Sequence, residues 1–165
     1  MRLNKIDETQ ETIVSLLQER EGAVGPLPVA PTPQQPDIIM NIKNQLPITT
    51  DEKMDIVEDE LSTKEKMEEM ARYLSSRGGN TIPEIVRRIL KSTMSDHFAA
   101  NYSWIGFKKK KVFSSLHLKE AIFSGVRRNS RTSSASDAEI EDVIKTWLKY
   151  AKARFQAREK KGNSN

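Results

Sequence analysis

Four consecutive lysines, Lys108, Lys109, Lys110 and Lys111, follow directly on Trp104-Ile105-Gly106-Phe107. Ammonium groups this close repel one another, so a loop that carries them favours a polyanion, and each phosphate it binds releases counterions. Arg127, Arg128 and Arg131 make a second cluster, and Lys145, Lys149 and Lys152 a third. The lysines are expected to hold phosphates, which position a nucleic acid without reading it. Arg127 or Arg128 is the expected base reader, because a planar guanidinium can bind guanine twice. Tyr102, Trp104, Phe107 and Phe113 surround the lysine run. Such rings either stack on bases or pin the loop to a core, and the pin is the expected role for most of them. The run Lys108–Lys111 followed by Val112 also resembles a short nuclear-import signal, a reading that competes with DNA for the same residues.

Other chemistry has few candidates. The chain has no Cys, which excludes a disulfide scaffold, a thiolate metal site and a cysteine nucleophile. His97 and His117 stand outside any HxxxH or GxSxG context, and a structural role is expected for both. The carboxylates of Asp51–Glu60 and Glu65–Glu69 recur at helical spacing, as on a solvated face. There is no Gly-rich phosphate loop; Gly78-Gly79 reads as a helix stop. The expectation is therefore no enzyme, no cofactor, no metal and no small-molecule substrate. Arg127-Arg128-Asn129-Ser130 fits a basic-directed kinase site. Phosphate on Ser130 would add about −1.5 to −2 charge beside the basic surface and is expected to weaken DNA binding.

These residues must be positioned by a chain of 165 residues with net charge +4. That balance hides a split. Residues 1–75 hold 8 Lys+Arg and 15 Asp+Glu, a charge of −7, whereas residues 76–165 hold 19 and 8, a charge of +11. The hydrophobic share is only 36% and the charged share 30%, so part of the chain is expected to lack a core of its own. No run of ~18 apolar residues is present, so no membrane span is expected. Met1–Arg20 is charged throughout, so no secretory signal is expected either.

Residues 1–21 read as a short amphipathic helix. Leu3, Ile6, Ile13 and Leu17 fall at heptad spacing, with Gln10 at one core position, as at the end of a parallel coiled coil that would oligomerise the protein. Two heptads are marginal alone, and a fraying helix without a partner fits equally. Residues 22–45 read as an extended linker, because five of the chain's seven prolines (Pro26, Pro28, Pro31, Pro33 and Pro36) lie there and each removes a backbone donor.

Residues 46–160 are predicted to form an all-α domain of five to six helices, roughly 50–60, 63–76, 83–93, 96–102, 116–128 and a long last helix 137–159, before a disordered tail at 161–165. Thr49 with Glu52, Ser62 with Glu65, Thr81 with Glu84 and Ser136 with Glu139 each fit the capping box. Ile140, Val143, Ile144, Trp147, Leu148, Ala151 and Phe155 make one apolar stripe, with Lys145, Lys149 and Lys152 opposite it as one cationic row. No sustained period-two alternation appears, so no substantial sheet is expected.

The segments "LPITTDEKMDIVEDEL", "MARYLSSRGG", "VRRILKSTMSDHFAANYSWIGFKKKKVF" and "IEDVIKTWLKYAKARF" resemble an animal domain-of-unknown-function family, the one numbered 4806. The resemblance covers about two-thirds of the chain, and Tyr102-Ser103-Trp104-x-Gly106 followed by lysines is its most specific element. The family name implies no function. The second half, through Met94-Ser95-Asp96-His97-Phe98-Ala99 and Trp104-x-Gly106-x-Lys108, also resembles the BEN domain. BEN domains are all-helical modules that bind DNA or mediate protein contacts in chromatin and transcriptional repression, often beside a coiled coil. The resemblance implies DNA contacts from the basic loop and the last helix.

The function expected from these observations is a nuclear, non-enzymatic DNA- or chromatin-binding module in transcription regulation. The alternative is a protein-interaction adaptor that oligomerises through its N-terminal helix and binds partners through the acidic helices of residues 50–76, without touching DNA.

Overall fold

Apolar residues at helical spacing build eight α-helices within residues 36–164, the part of the chain that the computed structural model describes. They are α1 (Met40–Gln45), α2 (Asp51–Leu61), α3 (Lys64–Ser75), α4 (Ile82–Thr93), α5 (Asp96–Ala99), α6 (His117–Arg128), α7 (Asp137–Lys149) and α8 (Ala151–Gly162). The all-α expectation holds: the only sheet among the described residues is a parallel pair, β1 (Tyr102–Ser103) and β2 (Lys111–Val112), with Tyr102 opposite Lys111 and Ser103 opposite Val112. The heptad positions Leu3, Ile6, Ile13 and Leu17 and most of the proline segment lie outside the described residues.

The core is one cluster to which every helix contributes. Its most extensive helix contact is between α3 and α6. Gly125 of α6 makes that contact possible: a Cβ there would stand 3.0 Å from Leu74 Cβ and 3.1 Å from the Ala71 carbonyl oxygen. Helix α4, buried along Ile85, Val86, Ile89 and Leu90, packs on α7 and α6. The acceptor of α6's first N–H groups is not a local cap. The Glu58 carboxylate of α2 accepts from His117 N–H (2.7 Å) and Leu118 N–H (2.9 Å), placing a negative group at the positive end of the helix.

Several expected boundaries move. The segment read as linker ends early, because Ile39 and Ile42 are buried at 1% and 0% exposure and α1 occupies its last residues. The cap of α2 is Thr50, whose hydroxyl accepts from Lys53 N–H, rather than Thr49 with Glu52. Ser62 cannot cap α3, since its αR backbone closes α2 and its hydroxyl donates to Asp59 O. Thr81 caps α4 as expected, and Ser136 with Glu139 forms the full box. There the Ser136 backbone N–H and hydroxyl hold the Glu139 carboxyl below its ordinary range. The helix expected over 96–102 stops at Ala99, because Tyr102–Ser103 is drawn into pairing with β2. The tail expected at 161–165 is helical to Gly162.

The expected long last helix breaks at Tyr150 (φ −97°, ψ 4°). The break turns α8 onto α5. Buried Asp96, 6% exposed, accepts from Arg154 Nε at 2.9 Å and lies 3.1 Å from Arg158, while the His97 and Phe155 rings meet at 4.8 Å. Phe155 therefore leaves the α7 stripe and serves a different contact.

Replacing Gly125 with Val forces two packed backbones apart. It should destabilise the domain by about 1–3 kcal/mol, read as a lower denaturant midpoint in urea unfolding followed by circular dichroism.

Candidate nucleic-acid interface

The loop between α5 and α6 is anchored before it is charged. Tyr102 and Phe113 are buried, and their rings meet edge to face at 6.3 Å. Trp104 is half-buried and stacks on Phe123 of α6 at 6.3 Å. Lys111 N–H donates to Asn101 O (2.8 Å), Phe113 N–H to Ser103 O (2.9 Å) and Ser114 N–H to Trp104 O (3.1 Å). Three of the four aromatics are thus pins. Phe107 is not: it is 65% exposed, and Ile105 beside it is 74% exposed.

Between these anchors the chain turns through left-handed backbone. Gly106 has φ +81°, and Lys108 and Lys109 have φ +55° and +62°. A glycine takes that conformation freely, but an L-residue with a Cβ is strained there by about 1–2 kcal/mol. The Phe107 N–H is held by the Ser103 hydroxyl at 2.7 Å, and Lys110 N–H returns to Phe107 O at 3.2 Å. Strain of this kind persists only where the surroundings over-determine it, and it concentrates at functional sites.

The loop and α7 enclose a groove of about 460 Å³. Tyr102, Trp104 and Leu148 supply apolar lining, Ile105 and Phe107 the loop side, and Lys108, Lys110, Lys145 and Lys149 the cations. Lys108 and Lys110 therefore meet Lys145 and Lys149 across the fold although more than thirty residues separate them in sequence. Lys145 Nζ is shared with Glu141 at 2.5 Å and stands 6.0 Å from the Trp104 ring. Lys108, Lys109, Lys110 and Lys149 have no carboxylate partner among the described residues. Lys111 points away and pairs with Asp51.

The other expected site residues are placed elsewhere. Lys152, beyond the Tyr150 break, joins Lys110, His97 and Phe155 around a separate groove instead of continuing the Lys145–Lys149 row. Arg127 is committed to structure: its Nε donates to Ala135 O at 2.9 Å and its guanidinium pairs with Asp137. It holds the 129–136 loop against α6, a structural role beside the base reading expected of it. Arg128 is exposed on the groove lined by Lys119, Phe123 and Arg127. Ser130 is exposed in a loop held by Thr132, whose buried hydroxyl donates to Val126 O at 2.7 Å, and by Arg131 on Asn80. His117 lies 3.2 Å from Glu58 and His97 against Phe155, so both histidines have structural neighbours. Among the described residues no cluster of three or more His, Asp or Glu could hold a metal ion, and no helix is long and apolar enough to cross a membrane.

Residues 43–125 match the family model described as Domain of unknown function (DUF4806). The chain belongs to that family. The matched stretch runs from α1 into α6, so it contains the whole lysine loop but neither α7 nor α8. No curated protein and no solved structure matches the chain.

Sequence reasoning named the lysines and Phe107 but missed Ile105 and Leu148 as groove residues. Ile105 carried a weak signal, an aliphatic residue between two aromatics with a glycine next to it. Leu148 carried none, because its place on the apolar stripe of α7 also suits the core. A second cationic cluster escaped notice too: Arg87, Lys91, Arg154 and Arg158 gather with Asp96 on the other side of α7.

Two outcomes test this geometry. Lys108→Gly and Lys109→Gly should each raise stability by about 0.5–1 kcal/mol, the relief of left-handed strain less the extra freedom of unfolded glycine. The matching Ala variants should not, which thermal melts would show. Burial, with Asp51, Glu58 and Asp55 adding negative potential, pushes the Tyr102 phenol up to about 12. An unfolded tyrosine ionises near 10, so the Tyr102 contribution is constant below about pH 10 and is lost as pH rises from there toward 12. Tyr102→Phe should flatten the alkaline fall of the unfolding free energy, measured by urea titration between pH 8 and 11.5.

Proposed function

We propose that the folded domain is a nuclear, non-enzymatic nucleic-acid-binding module that acts in chromatin or transcription regulation, with the groove between the lysine loop and α7 as its contact surface. One observation carries the proposal: Lys108, Lys110, Lys145 and Lys149, drawn from two elements distant in sequence, line a single groove. A run of four lysines alone is an ordinary solvated surface, but its convergence with a second row of lysines raises the local positive potential where a phosphate chain would lie. Carboxylate neutralisation is incomplete there, since Glu141 serves Lys145 only. On the same reading the second half is a BEN-like module, with contacts from the basic loop and the last helix. Arg128 and Lys152, on neighbouring grooves, extend the surface that a longer nucleic acid would meet.

A protein-interaction adaptor is the second reading. Ile38, Met40 and Ile56 are exposed around α1 and α2, and the adjoining Asp51, Glu52, Asp55 and Asp59 are exposed carboxylates. An acidic surface with apolar residues suits a basic amphipathic protein partner.

Titrating the full chain with labelled DNA over about 50–200 mM salt separates the two. Affinity should fall linearly with salt on logarithmic axes. Replacing Lys108 and Lys110 together with Ala should weaken binding on the order of tenfold at low salt and reduce the salt slope by about two phosphate contacts. An absence of DNA binding even at low salt leaves the adaptor reading.

A further inference from the structure

We infer that the groove between the lysine loop and α7 admits an unpaired base, so that the domain prefers single-stranded nucleic acid to duplex. The inference rests on the nucleic-acid-binding reading above and adds the kind of ligand. Its starting point is the shape of the site. A duplex is read by an element that protrudes into a groove, whereas here apolar side chains line a groove of the protein itself, with lysines among them. The cavity of about 460 Å³ is lined by Trp104, Phe107 and Ile105, together with the buried Tyr102 and Leu148. That volume lies within the range of small-ligand sites, about 300–1,000 Å³. Bases stacked inside a duplex cannot reach such a recess, but a splayed base can.

The second observation is the exposure of the loop tip. Phe107 and Ile105 leave 65% and 74% of their surface in water, while the backbone beside them is held in left-handed conformation at Gly106, Lys108 and Lys109. Ser103 fixes the Phe107 N–H at 2.7 Å, and the exposed ring has the Lys108 ammonium 5.6 Å from its centroid. An exposed aromatic ring followed directly by lysines is the combination that single-strand binders use: the ring stacks on any base, and the cations follow the backbone phosphates. Lys108, Lys110 and Lys149 would take those phosphates, with Lys145 divided between a phosphate and Glu141. The Ser103 hydroxyl accepts from Phe107 N–H and keeps its own proton to donate to a base edge. An acidic apolar peptide meets the same cations but gains nothing from a stacking ring over an aliphatic one, so the identity of residue 107 discriminates between them.

The experiment measures fluorescence anisotropy of the full chain with three labelled probes at one salt concentration. The probes are an oligothymidylate of about 15 nucleotides, a duplex of the same length and an oligoglutamate peptide of similar charge. The single strand should bind about tenfold tighter than the duplex. Phe107→Ala and Phe107→Leu should each lose about tenfold for the single strand and little for the duplex, while Phe107→Trp should keep or improve single-strand affinity. Because the ring is exposed, circular dichroism should be unchanged in all three variants. Duplex binding equal to or tighter than single-strand binding overturns the inference and leaves the nucleic-acid reading intact. So does equal binding by the Leu and Trp variants, which would make the contact merely apolar. Failure to bind either nucleic acid overturns both. Peptide binding as tight as the single strand, with the same dependence on Phe107, also overturns both.

Discussion

The close crossing of α3 and α6 is the constraint on which the domain rests. At Gly125 the two backbones approach until only a hydrogen fits between Leu74, Ala71 and the α6 axis. Packing at this density loses contacts steeply when it opens. Its consequence reaches the surface, because a fixed α6 has a fixed first turn. Glu58, carried on α2, accepts the first N–H groups of α6, so three helices jointly determine where the preceding loop must end. The other end of the loop is held by α5 and by the pairing of Tyr102–Ser103 with Lys111–Val112. A segment that would otherwise repel itself into an extended coil is thereby closed at both ends.

Within that closure, repulsion and strain are offset by apolar anchoring. The Phe113 ring packs against Tyr102 and Trp104, and Trp104 in turn stacks on Phe123. The lysines between them adopt left-handed backbone that an L-residue avoids. Two such residues cost roughly 2–4 kcal/mol together, which is within what burial of two large aromatic side chains returns, at about 1.5–3 kcal/mol each. The arrangement is a rigid display of cations and one exposed ring, in contrast to a mobile lysine tail. Rigid display lowers the entropy lost when a partner binds.

Much of the helical layout was legible from periodicity and caps. The apolar stripe of α4 and the box formed by Ser136 and Glu139 appear where local rules place them, because both depend on residues within one or two turns. The failures share a different cause. Tyr150 offers no local breaker, neither Gly nor Pro, and the helix breaks there because Asp96, more than fifty residues away, draws Arg154 and Arg158 onto α5. Likewise α6 lacks a Ser, Thr or Asp at its start, since its cap arrives from Glu58. The Ile39 and Ile42 side chains read as part of a linker because the prolines before them dominate the local composition, yet both complete the core.

The candidate site divides in the same way. Sequence alone determined that the second half of the chain is strongly basic, that it folds as helices and that four lysines sit among aromatic residues, because charge, periodicity and adjacency are properties of the chain itself. Tertiary structure decided which cations work together. It joined Lys108 and Lys110 to Lys145 and Lys149, paired Lys111 with Asp51 and Arg127 with Asp137, and left Phe107 the one mostly exposed ring of the four. These outcomes depend on which elements pack together, α7 and α2 against the loop and the start of α7 against α6, and no spacing along the chain encodes the distance between two elements that meet only after the core has formed.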